Sequence, residues 1–243
     1  MGTCCDWLSS MLPLLHSCPS HPTLMPADTQ LRDLAISWRE GFFQEIHNRF
    51  AGKEPAEDID ITHRRVLDRL LDERGVTVDA WDDAVRKKLV HQWHLQTPWP
   101  DVIPALQRLR DNGQFFLIVL ANGTTRLQLD IAQSSGIPFH MLMSSELLGI
   151  TKPDPAIYRK AMDLVRLPPE SCYMLAAHLY DVQAAKAVGM NTIYVHRSTE
   201  DVELTPGSLG HDPLVDNYFD GRDTDVATGF MDVVRHLLEH NQH

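Results

Sequence analysis

Cysteine is scarce in this chain of 243 residues, and its four copies form no Cys-x-x-Cys pair. They are Cys4, Cys5, Cys18 and Cys172. This spacing argues against both a disulfide framework and a cysteine-based zinc site, and it fits a reducing compartment. We therefore expect a cytoplasmic protein.

Long apolar runs are also missing, since no stretch approaches the ~20 residues that a membrane-spanning helix requires. The apolar patch at residues 11–15 contains Pro13 and has no basic residue before it, unlike the core of a signal peptide. Asp6 stands where the N-myristoylation pattern requires Ser or Thr. The sequence therefore predicts a soluble protein without a membrane partner.

Positive charge is sparse as well, with 22 basic residues against 33 acidic ones and a formal net charge of -11. Because no basic cluster interrupts this acidity, nucleic acid and anionic membranes are poor predictions for a partner. Hydrophobic residues make up 43% of the chain. That composition and length allow one large domain, or one domain with a small second one.

A helical block follows a short N-terminal piece and a linker predicted at residues 19–22 and 26–28. Apolar residues recur every three or four positions from Thr29, then along predicted helices 62–73 and 79–93. Three successive helices without a strand between them indicate a separate subdomain, residues 24–96. Its aromatic stripe is typical of core packing, and the alternative is a cation–π shelter for a cationic intermediate. The stripe contains Trp38, Phe42, Phe43 and Trp93.

After residue 97 the pattern changes to strands that alternate with helices. The predicted strands are 115–120, 140–144, 172–177 and 192–196, and the predicted helices are 102–110, 127–134, 155–165, 181–188 and 229–239. The apolar run 115–120 predicts a strand buried on both faces. We therefore predict an α/β fold with a doubly wound parallel sheet, built from residues 1–23 and 97–243, with the helical block inserted as a cap.

Polar residues follow two of these strands and precede one of the helices. Because ligands bind outside the carboxyl ends of parallel strands, we expect an amide, an amine, an imidazole and a carboxylate to face one pocket. The residues concerned are Ala121, Asn122, Gly123, Lys152, His178, Tyr180 and Asp181.

Each of these residues also has a structural interpretation. Asn122 and Gly123 are typical of an ordinary strand-to-helix turn. Lys152 could be a solvated surface lysine, and Asp181 could only cap the next helix. His178 could be a buried histidine with its hydrogen bonds satisfied.

Four segments together resemble the haloacid dehalogenase superfamily, in particular the type II 2-haloacid dehalogenase-like proteins common in fungi. The segments are Gly2-Thr3 with Asp6-Trp7, Ala121-Asn122-Gly123-Thr124, Lys152-Pro153-Asp154-Pro155 and Ala177-His178-Leu179-Tyr180-Asp181. The likeness covers nearly the whole chain, cap included. It implies catalytic roles for Lys152, Asp181 and His178, and substrate binding by Asn122, Gly123, Ala121, Thr3, Asp6, Trp7, Trp38 and Tyr180.

The chain departs from the family pattern in three respects. In the family, the central first strand ends in Asp-x-Phe-Gly-Thr, and its Asp is the covalent nucleophile; aligning Gly2 and Thr3 places that Asp before Met1. Ala121 stands where the family has a hydroxyl. The acidic cluster of the family's phosphatases is reduced to Asp181, so we expect neither magnesium-dependent chemistry nor another cofactor.

The resemblance and its departures leave three interpretations of function open. Without the nucleophile, the remaining groups suit acid–base and electrostatic chemistry, such as epoxide rearrangement or cyclisation in secondary metabolism. The alternatives are a dehalogenase-like hydrolase whose native chain begins further upstream, and a non-catalytic binding protein. The expected partners are a small apolar or carboxylate-bearing substrate and, in a homodimer, a second copy of the chain.

Overall fold

The structure, a computed structural model, describes residues 1–25, 29–52, 54–55, 57–204, 212–221 and 228–240. The predicted linker residues 26–28 lie outside these ranges. Contacts divide the chain into two compact units, one of Trp7–Thr97 and one of Met1–Asp6 with Pro98–His243. Within the described ranges, none of the helices combines the length and apolar character needed to cross a bilayer.

The helical unit contains α1 (Trp7–His16), α2 (Gln30–Ala51), α3 (Ile59–Glu73) and α4 (Asp83–Gln92). Aspartate side chains cap the N-termini of α3 and α4. Asp58 accepts a hydrogen bond from Asp60 N, and Asp82 accepts one from Val85 N. Helix α1 packs against α2 and α4. The predicted boundary at residue 23 assigned this helix to the other unit, whereas its apolar face is buried here among helices.

The core of the helical unit is a stack of four rings. Phe42 lies on His63 at 3.9 Å between ring centroids, His63 lies on Trp93 at 4.6 Å, and Trp93 lies on Trp7 at 5.7 Å. Trp38 meets both His63 and Trp93 edge-on, and its Nε1 donates to the His63 carbonyl at 2.9 Å. Within the aromatic stripe, Trp38 and Trp93 are therefore core residues, whereas Phe42 and Phe43 are partly buried.

The second unit alternates helices with strands. Its helices are α5 (Val102–Asn112), α6 (Thr125–Ser135), α7 (Ser145–Leu148), α8 (Pro155–Val165), α9 (Leu179–Ala187) and α10 (Phe230–His240). Its strands are β1 (Ile118–Ala121), β2 (Met141–Ser144), β3 (Tyr173–Ala176), β4 (Asn191–His196) and β5 (Asn217–Asp220). The α/β class and the parallel strands are confirmed.

The described strands form two parallel sheets. In one, β1 pairs with β2, with Ala121 opposite Ser144; in the other, the order is β3-β4-β5. Both sheets contribute to one hydrophobic core, which includes Met143 of β2, Met174 of β3 and Tyr194 of β4. Because the chain runs in the same direction in every strand, the carboxyl ends share an edge within each sheet, where the polar residues follow.

The prediction that strand 115–120 is buried on both faces is wrong. The strand begins at Ile118, all four of its residues are only partly buried, and Phe116 before it is 72% exposed. In the described part of the chain β1 has a sheet neighbour, β2, on one side only. The deeply buried strand is β4, which lies between β3 and β5.

Candidate functional site

The turn after β1 is held by local hydrogen bonds. Gly123 adopts φ 125°, a conformation that L side chains rarely adopt, and its N–H donates to Ser145 Oγ at 2.9 Å. Thr124 begins α6, because its Oγ1 accepts from Leu127 N at 3.1 Å. The turn interpretation of Asn122 and Gly123 therefore holds, and it leaves the Asn122 side chain for a second contact.

The Asn122 side chain binds the backbone of Lys152. Its Oδ1 accepts from Lys152 N at 2.8 Å, and its Nδ2 donates to Lys152 O at 3.1 Å. Hydrogen bonds to both the N–H and the carbonyl of Lys152 fix that residue in position and orientation. Asn122 thus positions the loop that carries the amine.

Lys152 forms a buried ion pair with Asp181. Lys152 Nζ contacts Asp181 Oδ2, and the two side chains are 9% and 6% exposed. Neither structural alternative applies, since Lys152 is not on the surface and His178, not Asp181, occupies the cap position of α9. Charges this deeply buried must be paired and hydrogen-bonded, because burial removes their solvation.

Tyr158, on α8, completes this cluster. It is fully buried, and its hydroxyl donates to Asp181 Oδ1 at 2.6 Å. Burial and the adjacent Asp181 charge raise the pKa of Tyr158 far above its usual value. The phenol therefore stays neutral and acts as a hydrogen-bond donor to the carboxylate.

His178 is bound by a second carboxylate. Its Nε2 lies 2.8 Å from Glu200 Oε2, and Tyr180 meets the imidazole edge-on at 5.7 Å. Thr3 lies next to this group, because its Oγ1 accepts from Ala177 N at 3.0 Å. The structure thus brings Thr3, His178 and Tyr180 together at the carboxyl end of β3.

The remaining predicted residues divide between the two units. Ala121 ends β1, and Asp6 is partly buried in the same unit. Trp7 and Trp38 belong to the helical unit and are both buried, Trp7 within the ring stack and Trp38 edge-on to it. Their substrate-binding role stays a prediction.

Several residues of the site are not predicted from the sequence. Tyr158 is part of the Lys-Pro-Asp-Pro-x-x-Tyr segment that supports the family resemblance, but the sequence assigns it no role in the site. Ser144 ends β2 opposite Ala121, with its Oγ 2.8 Å from Thr125 Oγ1, and so supplies a hydroxyl beside the alanine. Glu200 lies in a polar stretch without a local signal.

Arg39 is a further residue that the sequence analysis missed, a buried cation in the helical unit. It is 7% exposed, and its guanidinium lies 4.7 Å from the Trp7 ring and 4.9 Å from the Phe43 ring. Helix α2 carries several charged residues, so the sequence has no local signal that distinguishes Arg39. Stacking on aromatic faces stabilises an arginine that is shielded from water.

Among the residues that the structure describes, no group of three or more histidine, cysteine, aspartate or glutamate side chains is arranged to hold a metal ion. The polar groups described in this region include an ammonium, an imidazole, two carboxylates, two phenols and hydroxyls. Such a set can transfer protons and stabilise an anion or a developing alkoxide.

Comparison with known proteins decides the family. The profile described as haloacid dehalogenase-like hydrolase matches residues 23–189, more than half of the chain. The chain belongs to the haloacid dehalogenase-like hydrolases. The family resemblance is thereby confirmed. The match includes α2, α3 and α4 and three of the four segments, whereas Gly2-Thr3 with Asp6-Trp7 lies outside it.

Curated relatives in this family have different activities. Haloacetate dehalogenase H-2 from Moraxella sp. (strain B) is 26% identical over 159 residues, 65% of this chain and 64% of that protein. A glyceraldehyde 3-phosphate phosphatase from Methanopyrus kandleri is 31% identical over 146 residues, 58% of each chain. The matched region therefore spans less than two thirds of either relative.

Solved haloacid dehalogenase structures resemble the whole chain. The L-2-haloacid dehalogenase PA0810 has a TM-score of 0.78 and 29% identity, covering 98% of this chain and 95% of that one. The defluorinating L-2-haloacid dehalogenase Rha0230 has a TM-score of 0.76 and 26% identity, with coverage of 97% and 91%. The fold is thus that of the type II 2-haloacid dehalogenases.

Proposed function

We propose that this haloacid dehalogenase-like protein catalyses an acid–base rearrangement of a small apolar or carboxylate-bearing substrate, such as opening of an epoxide followed by migration or cyclisation. The observation that carries the proposal is the buried cluster of Lys152, Asp181 and Tyr158. A secondary metabolite as the substrate rests on the family resemblance alone.

The cluster supplies a fixed cation at the carboxyl end of the strands. Asn122 holds the Lys152 backbone by two hydrogen bonds, and Asp181 holds its ammonium. A cation held in advance stabilises negative charge that develops on a reacting oxygen without reorganising in the reaction. Tyr158 keeps the Asp181 carboxylate in place and so fixes the orientation of the ammonium.

The proposed reaction needs one proton donor and one proton acceptor. Lys152 donates a proton to the epoxide oxygen as the C–O bond breaks and its electron pair passes to oxygen. A neighbouring group then migrates to the electron-poor carbon, or a nucleophilic group of the same substrate closes a ring. His178 accepts the proton that leaves the rearranged cation, so the product is an isomer of the substrate.

A second candidate is hydrolysis of a 2-haloacid, which family membership and the dehalogenase relatives favour. That reaction proceeds through attack by a carboxylate on carbon and hydrolysis of the resulting ester. The carboxylate that the structure describes next to Lys152 is Asp181, and its two oxygens already accept hydrogen bonds from the Lys152 and Tyr158 side chains. The third candidate, a non-catalytic binding protein, predicts binding without turnover.

Turnover in water enriched in ¹⁸O separates these candidates. The purified chain is incubated with styrene oxide, as a small apolar epoxide, and with (S)-2-chloropropionate. We expect an isomer of the epoxide, no diol and no release of chloride. Chloride release with ¹⁸O in the hydroxy acid would establish the hydrolase instead, and unchanged substrates would exclude both reactions for these probes.

Matched variants connect turnover to the site. Lys152→Met is expected to lower the rate by ~10²–10³-fold, as removal of one preorganised electrostatic group does in other enzymes. Lys88→Met replaces an exposed lysine and should leave the rate unchanged. Equal rates in the two variants would show that Lys152 has no role in the reaction. Mapping the 5′ end of the transcript tests independently whether the reading frame extends upstream with a strand that ends in Asp.

A further inference from the structure

His178 occupies the cap position of α9 but does not cap it. Its side chain makes no hydrogen bond to the helix terminus. The Asp201 carboxylate instead accepts a hydrogen bond from Leu179 N, at 2.6 Å. Asp201 itself has φ 43°, which is uncommon for a residue other than glycine. A polar side chain at this position usually satisfies the helix itself, so the imidazole is directed to another partner.

That partner is a carboxylate more deeply buried than the ring. His178 Nε2 lies 2.8 Å from Glu200 Oε2, and the two side chains are 15% and 2% exposed. Thr199 Oγ1 donates to Glu200 Oε1 at 3.1 Å. Because burial of a carboxylate is costly, Glu200 needs partners at both oxygens, and the imidazole is one of them.

The N-terminal segment leaves room for this carboxylate. A Cβ placed on Gly2 would lie 2.5 Å from Glu200 Oε2, so a side chain at that position would displace the carboxylate. Thr3 holds the segment against Ala177, the residue before His178, through its Oγ1. The strand end, the N-terminal segment and the loop after β4 thus meet around one imidazole–carboxylate pair.

We propose that Glu200 is a positioning residue that fixes the ring and tautomer of His178, so that His178 exchanges protons through Nδ1. An ionised carboxylate only accepts hydrogen bonds, so it holds the ring proton of neutral His178 on Nε2. The lone pair is then on Nδ1. Carboxylates orient the basic imidazole in this way in other proton-transfer sites.

The assignment gives the site two pairs with complementary tasks. The Asp181–Lys152 pair supplies the proton, and the Glu200–His178 pair removes one. In the rearrangement, Nδ1 of His178 forms the new N–H bond. The electrons of a broken C–H bond form a C=C bond in the product, and those of a broken O–H bond stay as a lone pair on the oxygen of the carbonyl or ring ether. This step rests on the proposed function, whereas the tautomer of His178 does not.

Nitrogen NMR of the ¹⁵N-histidine-labelled chain tests the tautomer without a substrate. The His178 signals are assigned by comparison with His178→Gln and recorded at pH 8. We expect a proton on Nε2 in the native chain, loss of this preference in Glu200→Gln, and its retention in Glu203→Gln, which replaces an exposed glutamate nearby. A proton on Nδ1 in the native chain, or the same signals in Glu200→Gln, would overturn the proposal.

The native-chain spectrum decides the tautomer even if Glu200→Gln does not fold. A kinetic measurement with styrene oxide then tests the role in the reaction. In folded Glu200→Gln we expect kcat to fall by up to ~10²–10⁴-fold, the contribution of a positioned general base, with KM within about twofold of native. A rise in KM with unchanged kcat would assign Glu200 to substrate binding and contradict positioning. Failure of styrene oxide to react in the native chain would count against the proposed function and leave the NMR result in force.

Discussion

Tyr158 donates its hydroxyl hydrogen to Asp181 Oδ1 at 2.6 Å, and Lys152 contacts the other oxygen, Oδ2. The carboxylate therefore has one fixed partner at each oxygen. We expect Tyr158→Phe to lower the free energy of unfolding by ~1–3 kcal/mol, because one oxygen of a buried carboxylate loses its donor. Urea denaturation measures the change. No loss of stability would show that the hydroxyl is dispensable to Asp181.

The Lys152–Asp181 pair should behave as a coupled unit. Each single change, Lys152→Met or Asp181→Asn, leaves its partner buried without compensation, and we expect each to cost ~3–5 kcal/mol of unfolding free energy. The double variant should cost clearly less than the sum of the two.

A double-mutant cycle by urea denaturation measures this coupling. Lys88→Met and Asp163→Asn, both at exposed positions, provide a control cycle in which the effects should add. Additive effects at positions 152 and 181 would mean that the two side chains do not stabilise one another.

Stability should fall with acid because of His63. Burial, with the nearby Arg39 and His94 charges, holds the pKa of His63 well below its ordinary value of 6.5. Below pH 6.5 the unfolded chain binds a proton at this position that the folded chain does not, so this contribution to stability decreases as pH falls toward the folded pKa. The slope is at most about 1.4 kcal/mol per pH unit.

His63→Phe removes the titrating group and keeps a ring between Phe42 and Trp93. We expect the difference in unfolding free energy between pH 7 and pH 5 to be smaller in this variant than in the native chain. Chemical denaturation at the two pH values checks this, with the exposed His16→Phe as the control. An unchanged difference would assign the acid sensitivity to other groups.

Arg197 should be a principal stabilising residue of the α/β unit. Its Nη2 lies 2.9 Å from Asp101 Oδ1, with the two side chains 1% and 4% exposed, and it also donates to the carbonyls of Thr3 and Gly221. We expect Arg197→Met to cost ~3–5 kcal/mol, because Asp101 is left buried without its cation. The exposed Arg126→Met should show no resolvable change in the same denaturation experiment. Similar melting of the two variants would contradict this role.

Local signals in the sequence were sufficient for several helices. Helix α8 was predicted at residues 155–165 and lies there, because Pro155 begins it and the Asp154 carboxylate accepts from Ala156 N at 2.8 Å. Helix α6 likewise begins after Thr124 and ends at Gly136. The capping side chain accepts a hydrogen bond from a backbone N–H two or three residues away, so a few consecutive residues of the sequence are enough to predict it.

Contacts between distant segments could not be predicted from the sequence. Strand β5 has two apolar residues, Tyr218 and Phe219, within a polar stretch, and its pairing with β4 depends on residues more than twenty positions away. The exposure of β1 depends on which strand lies beside it. Glu200 reaches His178 only because β4 returns the chain to the carboxyl end of β3.

The sequence by itself determined the class of fold, the family, and the polar residues Lys152, His178 and Asp181 as candidates, since these follow from periodicity and from motifs of adjacent residues. The tertiary structure alone decided the partners: Tyr158 and Lys152 on one carboxylate, Glu200 on the imidazole, and Asn122 on the backbone of Lys152. The physical reason is distance along the chain. A cap or a helical period arises within a few residues, whereas a buried charge is satisfied by whichever group the packing of remote segments brings within hydrogen-bond reach.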